Sequence, residues 1–176
     1  IRLDANQGWK PKEAVRTIRQ LEDLGLDLEL IEQPVKAYDF EGLKYVTDHV
    51  DTDIMADESA FSPQDIFRLL HMRACDLINI KLMKTGGLHN AAQVAAMASA
   101  AGVTCMMGCM LESKVGITAA AALSAGCSII QKNDLDAADL LASDPVKGGI
   151  HYEKNELIVP DKPGLGIEAV EGWKEL

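Results

Sequence analysis

Along this chain, short apolar runs of strand length alternate with longer stripes at helical spacing. Leu28 to Glu32, Ile54 to Asp57, Leu77 to Lys81, Val103 to Met107 and Cys127 to Gln131 are compact apolar runs that predict buried strands. Ile1 to Asp4 reads as the end of one more. Between them, Ala14, Ile18, Leu21 and Leu24 recur at helical spacing behind Pro11 and stop at Gly25. Tyr38 to Val50 is the next expected helix, with Phe40, Leu43 and Val46 as its buried side. Ser62 and Pro63 open another as N-cap and first turn, with Ile66, Leu69 and Leu70 facing inward. Gly87 to Ala101 is an alanine-rich helix stopped by Gly102. Lys114 to Ala125 is small and apolar on nearly every side, which predicts a buried helix. Gly149 to Tyr152 and Glu156 to Val159, joined by Glu153-Lys154-Asn155, predict a hairpin.

Strands that alternate with helices over short connections require parallel pairing with helical crossovers. No glycine-rich phosphate turn follows an early strand, so an open dinucleotide-binding sheet is disfavoured. The pattern fits part of a (β/α) barrel. Six strands cannot close the usual eight, so two are expected before Ile1. Residues 1–148 are expected to form the barrel portion and 149–176 its C-terminal hairpin and tail.

With 176 residues, 48% of them hydrophobic, the chain can bury a sizeable core. Its formal charge of -10 argues against nucleic acid and anionic membrane surfaces as partners. Cys75, Cys105, Cys109 and Cys127 lack metal-ligand spacing and read as reduced thiols of a cytoplasmic protein. The four histidines are scattered and are given no role.

Charge becomes informative at the strand ends. Asp4, Glu32, Asp57, Lys81, Cys109 and Asp134 follow one another at intervals of 28, 25, 24, 28 and 25 residues. That is about the length of one strand, one helix and two loops. Equivalent positions of successive units project to the same barrel end, so three carboxylates are gathered beside one lysine. At about 4 Å and an effective dielectric near 20, each pair of carboxylates repels by about 4 kcal/mol. A hard divalent cation relieves this, and an all-oxygen ligand set that leaves room for substrate points to Mg2+. Beside such a cation Lys81 is expected to favour its neutral form and to act as a base on the α-carbon of a carboxylate substrate. The product of that step is an enediolate stabilised by the metal. Asn79 shares the inward face of the Lys81 strand and either orients that lysine or is a satisfied interior amide. Lys84 falls in the following turn and is expected to be solvated.

The segments DANQGW, IEQPV, ADES, NIKLMKTGG and GCMLES, with DLD at positions 134–136, resemble the enolase superfamily. Within it they are most similar to the dipeptide epimerases of the muconate-lactonizing-enzyme subgroup, such as those acting on L-Ala-D/L-Glu. The resemblance implies a TIM-like (β/α)7β barrel, of which this chain supplies about strands 3 to 8. It implies Asp4, Glu32 and Asp57 as Mg2+ ligands, and Lys81 as one of two acid/base lysines on opposite faces of the substrate. It places Asp134 and Asp136 on the substrate's α-ammonium group, although both could instead cap the following helix. The resemblance also implies that Cys109 lies against the substrate through its backbone, and that Glu112 is near the pocket rim without a defined role. Asn6, within DANQGW, remains an uncertain neighbour of the site.

The implied reaction is epimerisation of a dipeptide by 1,1-proton transfer. A cycloisomerase or o-succinylbenzoate synthase activity remains the alternative on the same fold, and a catalytically incomplete fragment with only an association role is the third reading. Two family features are not found in these residues: an N-terminal capping domain, and the Lys-x-Lys motif of the second barrel strand that carries the other catalytic lysine. The isolated chain is therefore expected to be inactive. Its open strand edge and uncovered barrel mouth predict association, with the absent portion or with itself as a homo-oligomer.

Overall fold

A computed structural model describes residues 1–172. The first half builds β1 (Arg2–Asp4), α1 (Pro11–Asp23), β2 (Leu30–Glu32), α2 (Phe40–Thr47), β3 (Ile54–Ala56) and α3 (Pro63–Met72). Then come β4 (Leu77–Lys81), a single-turn α4 (Leu82–Thr85), α5 (Leu88–Ala101), β5 (Thr104–Gly108), α6 (Lys114–Gly126) and β6 (Ile130–Asp134). Strands β1 to β6 form one sheet in chain order, and every neighbouring pair is parallel. The expected partial barrel is thus present as a curled six-stranded sheet. Its curl is visible at the amino-terminal ends of the strands. There Arg2 on β1 and Lys132 on β6, the two outermost strands, both reach Glu29.

Alternation along each strand divides the side chains between two layers. Ile31, Ile54, Ile78, Ile80, Met107 and Ile130 point outward and join α-helix residues such as Ile18, Leu43, Leu69 and Val94 in the main core. Leu30, Met55, Leu77 and Met106 point to the concave side and make a small second cluster. Burying this much aliphatic surface, at about 25 cal/mol per Å2, is the dominant force holding helices to sheet. One step further toward the carboxyl ends, the concave face turns polar. The apolar plug therefore forms the floor on which the polar groups stand.

Local signals explain most boundaries. Ser62 accepts from Asp65 N while the Asp65 carboxylate accepts from Ser62 N, a reciprocal cap that starts α3. Asp39 accepts from Gly42 N at 2.8 Å and starts α2 two residues later than the apolar pattern suggested. Helix α6 is less enclosed than expected. Ile117 to Ala121 are buried, but Ala122 and Ala125 are exposed, which small side chains tolerate at little cost. The last sheet strand also moves, from the expected Cys127–Gln131 to Ile130–Asp134.

The C-terminal segment contains the expected hairpin, β8 (His151–Glu153) against β9 (Glu156–Ile158). It is preceded by β7 (Val146–Gly148), which pairs antiparallel with β10 (Ile167–Val170). Tyr152 OH donates to Leu135 O at 2.7 Å and Ile150 N to Thr118 Oγ1 at 3.0 Å, tying this segment to the chain just after β6 and to α6. Positions 173–176 of the expected tail lie outside the described residues. Among the described residues, no helix is long and apolar enough to cross a membrane.

Candidate active site at the carboxyl ends of the strands

Register decides which polar groups meet. Asp4 is level with Glu32, whereas Glu32 is level with Met55, two residues before Asp57. Ala56 pairs with Ile78, which places Lys81 further out again, level with Gly108 and Asp134. This stagger is what strand tilt produces in a barrel wall. The polar groups therefore climb around the mouth instead of lying in one plane.

At the centre of the site, Asp57 lies between two lysines. Lys81 Nζ donates to Asp57 Oδ2 at 2.6 Å, and Lys84 Nζ donates to Asp57 Oδ1. Lys84 also donates to the backbone oxygens of Asp57, at 2.6 Å, and of Asn79, at 2.9 Å. The expectation that Lys84 is solvated is thus wrong. Its side chain is 4% exposed, because α4 turns the chain back on itself and brings position 84 under the strand ends. Burial pulls the Asp57 carboxyl upward, but the two ammonium groups outweigh it and hold its pKa below the ordinary value. For Lys84 burial dominates and lowers the pKa despite Asp57.

For Lys81 the balance falls the other way. Burial works against its charge, yet Asp57, Glu32 and Glu58 together raise its pKa. Among these side chains alone Lys81 is thus held as an ammonium by its acidic neighbours. Glu32 is buried and accepts one neutral hydrogen bond, from Asn79 Nδ2 at 2.7 Å. Burial first, and then the charges of Asp57 and Asp4, push its pKa up to about 7. Asn79 therefore serves Glu32 rather than orienting Lys81.

Asp4 turns toward its own loop, accepting from Asn6 N at 2.8 Å and Asn6 Nδ2 at 3.3 Å. Among the described residues, no three carboxylate, imidazole or thiolate groups converge into a ready-made cation cage. The donor chemistry of Asp4, Glu32 and Asp57 nonetheless fits a hard divalent cation. All are carboxylates, and the buried charge of Glu32 faces two like charges with no cation directly paired to it.

A cavity of about 400 Å3 opens beside this cluster, lined by Asn6, Asp57, Glu58, Phe61, Lys81, Met83, Lys84 and Met110. Asp134 and Asp136, both exposed, line a separate hollow of about 300 Å3 together with Asp139, Tyr152 and Lys154. Cys109 is half-buried between the two regions. Burial raises its thiol pKa, and the nearby Asp136, Asp134 and Glu112 carboxylates add to this. Glu112 folds back onto its own loop, where its carboxylate accepts from Met110 N at 3.1 Å.

The sequence reading passed over Gln7, Gln33, Glu58 and Ser59. Gln7 Nε2 donates to Glu58 Oε1 at 2.9 Å, and Gln7 Oε1 accepts from Ala37 N at 3.0 Å. Asn6, Gln7 and Gln33 adopt positive φ of 46°, 62° and 34°, left-handed conformations that are costly outside glycine. Three such residues at one sheet end are a structural signature of a functional region. Side-chain type and spacing give no sign of it.

A half-barrel whose strand ends carry three acids and an ion-paired lysine defines a class. The chain belongs to the enolase C-terminal domain-like family, whose model matches residues 1–173. It is 56% identical over 170 residues to the L-Ala-D/L-Glu epimerase of Clostridium acetobutylicum, covering 97% of this chain and 48% of that protein. A solved substrate-liganded complex of the Bacillus subtilis L-Ala-D/L-Glu epimerase superposes with a TM-score of 0.94 at 55% identity, covering 96% of this chain and 47% of that one. The Enterococcus faecalis V583 dipeptide epimerase, complexed with Mg and L-Leu-L-Tyr, gives 0.91 at 50% identity, covering 96% and 48%. The chain thus spans about half the length of the curated relatives it matches.

Proposed function

We propose that this chain is the barrel portion of a Mg2+-dependent dipeptide epimerase acting on substrates of the L-Ala-D/L-Glu type. The observation that carries this reading is Lys81 Nζ, held at 2.6 Å from Asp57 and open to the 400 Å3 cavity. Similarity to relatives named as epimerases supplies the reaction class. Asp4, Glu32 and Asp57 would hold the cation. When bound, it would supply positive charge that acidifies the proton beside a substrate carboxylate.

The chain's own residues do the rest. With the Asp57 charge engaged by a cation, Lys81 would lose the partner that most favours its ammonium form and could take a proton from the α-carbon. Glu32 is held in place by Asn79 without being neutralised. Asp134 and Asp136 would accept charge-assisted hydrogen bonds from a free α-ammonium group. Phe61, Met83 and Met110 line the same cavity with apolar surface. Inversion also needs a proton donor on the opposite face. The family resemblance gives that role to a second lysine, and without it these residues should not epimerise.

The test is proton NMR in D2O on the full-length protein with Mg2+ and L-Ala-L-Glu. Wild type should exchange the glutamate α-proton and form both epimers. Lys81→Ala should lose interconversion by at least about 100-fold. A variant that interconverts the isomers at the wild-type rate would remove Lys81 from the mechanism.

A further inference from the structure

Gln33 is wholly buried and sits directly between Glu32 and Pro34 in sequence, with a left-handed φ of 34°. Every polar atom of its side chain is used. Oε1 accepts from Asp57 N at 2.9 Å and Ser59 N at 3.0 Å. Nε2 donates to Ser59 Oγ at 2.8 Å and Val35 O at 2.9 Å. The backbone is equally committed, with Gln33 N donating to Met55 O at 2.9 Å and Gln33 O accepting from Gln7 N at 2.7 Å. Ser59 Oγ passes the network on to Ala37 O at 2.8 Å. One residue therefore fastens the turns that follow β1, β2 and β3, which carry Asp4, Glu32 and Asp57.

We propose that Gln33 is a positioning residue that fixes the Glu32 and Asp57 strand ends relative to each other, so that their carboxylates can share one divalent cation. Gln33 itself touches neither cation nor substrate. The amide is the side chain that can do this, because the site needs two acceptor contacts and two donor contacts at once. Glutamate, of the same length, supplies no donors and adds a charge. Asparagine is one methylene short. The left-handed backbone supports the same reading, since a non-glycine residue is kept there only where the surrounding bonds over-determine it. The inference rests on the proposed cation site and extends it to a residue outside that site.

The experiment titrates Mn2+ into the full-length protein without substrate, followed by the EPR signal of free Mn2+, alongside thermal melting. Gln33→Glu should weaken Mn2+ binding about 10- to 100-fold at a temperature where circular dichroism shows the fold intact. Ser59→Ala, which removes one partner and spares the Asp57 N contact, should weaken it a few-fold and covers the case in which Gln33→Glu fails to fold. A merely structural role would lower the melting temperature of both variants and leave the Mn2+ affinity of the folded protein unchanged, which overturns the proposal. Wild-type protein that takes up no Mn2+ overturns this inference together with the cation site. Wild-type uptake with unaltered affinity in the variants overturns this inference alone.

Discussion

Asn79 Nδ2 donates to Glu32 Oε1 across the concave face of the sheet, two strands away, at 2.7 Å. Alternate strands contribute to the same interior layer of a barrel, which is why β2 and β4 meet over β3. A neutral amide fixes a carboxylate without cancelling its charge. At Asp57 two ammonium groups do cancel it. The two neighbouring acids are thus held by opposite means, and the Glu32 carboxyl is left without a directly paired cation.

This arrangement depends on the absence of a side chain at Gly108. A methyl there would lie 2.4 Å from Asn79 Oδ1 and 2.9 Å from Nδ2, so the amide would have to leave Glu32. Gly108→Ala should destabilise the fold by about 1–3 kcal/mol through overpacking. The cost should shrink markedly when Asn79→Ala is already present, because the clash partner is gone. Urea unfolding of the two single variants and the double variant measures this. Strictly additive losses would show that the Asn79 amide is not the obstacle.

Lys84 is a buried cation whose acceptors are all internal, so removing it takes the ammonium from Asp57 Oδ1 and a hydrogen bond from the backbone oxygens of Asp57 and Asn79. Lys84→Met should cost about 3–5 kcal/mol, the range for breaking a buried ion pair from one side. Lys44 pairs with Asp48 on the α2 surface, and Lys44→Met should change stability by less than about 1 kcal/mol. Equal effects in a denaturant titration would mean that Lys84 is solvated after all.

Asp134 and Asp136 differ from the other acids in being exposed and lining their own hollow. If they hold a substrate ammonium group, Asp136→Asn should raise KM for a free dipeptide roughly tenfold or more, the worth of a hydrogen bond to a charged group. KM for the N-acetylated dipeptide should be unchanged. Steady-state kinetics with the two substrates decides, and parallel changes in both would assign the aspartates to loop structure.

The sequence made the strand ends legible because repeat length alone brings Asp4, Glu32, Asp57, Lys81 and Asp134 to one edge. It misplaced Lys84 because a lysine two residues before a glycine pair reads as a turn. The single turn of α4 that buries it carries no periodic pattern of its own. The shift of β6 has a similar origin. Its inward residues Lys132 and Asp134 are themselves charged, so the strand loses the apolar signature, and the run at Cys127 to Ile129 is the approach to it. Gln33 was illegible for a different reason. An amide next to a proline has no distinguishing type or spacing, and only the fold shows that its four side-chain bonds close a network.

At the opposite end of the strands, Glu29 accepts from Arg2 Nε at 2.9 Å and Nη2 at 3.2 Å, and from Lys132 Nζ. Hydrogen bonds from Arg2 first and Lys132 second hold its pKa down to about 2, against an ordinary 4.5. The folded value is depressed, so the stabilisation is fully present above the unfolded pKa and is lost as pH falls through the folded one. The window is therefore about pH 5 down to about pH 2. Glu29→Gln should flatten the pH dependence of stability in that window and leave it unaltered near neutrality apart from a constant offset. Because the Glu29 side chain is 39% exposed, the difference from wild type should also diminish at 1 M salt. Thermal melts at several pH values and two salt concentrations give both readouts. A variant whose pH profile parallels wild type throughout would show that the β1 and β6 ends are not joined through Glu29 in solution.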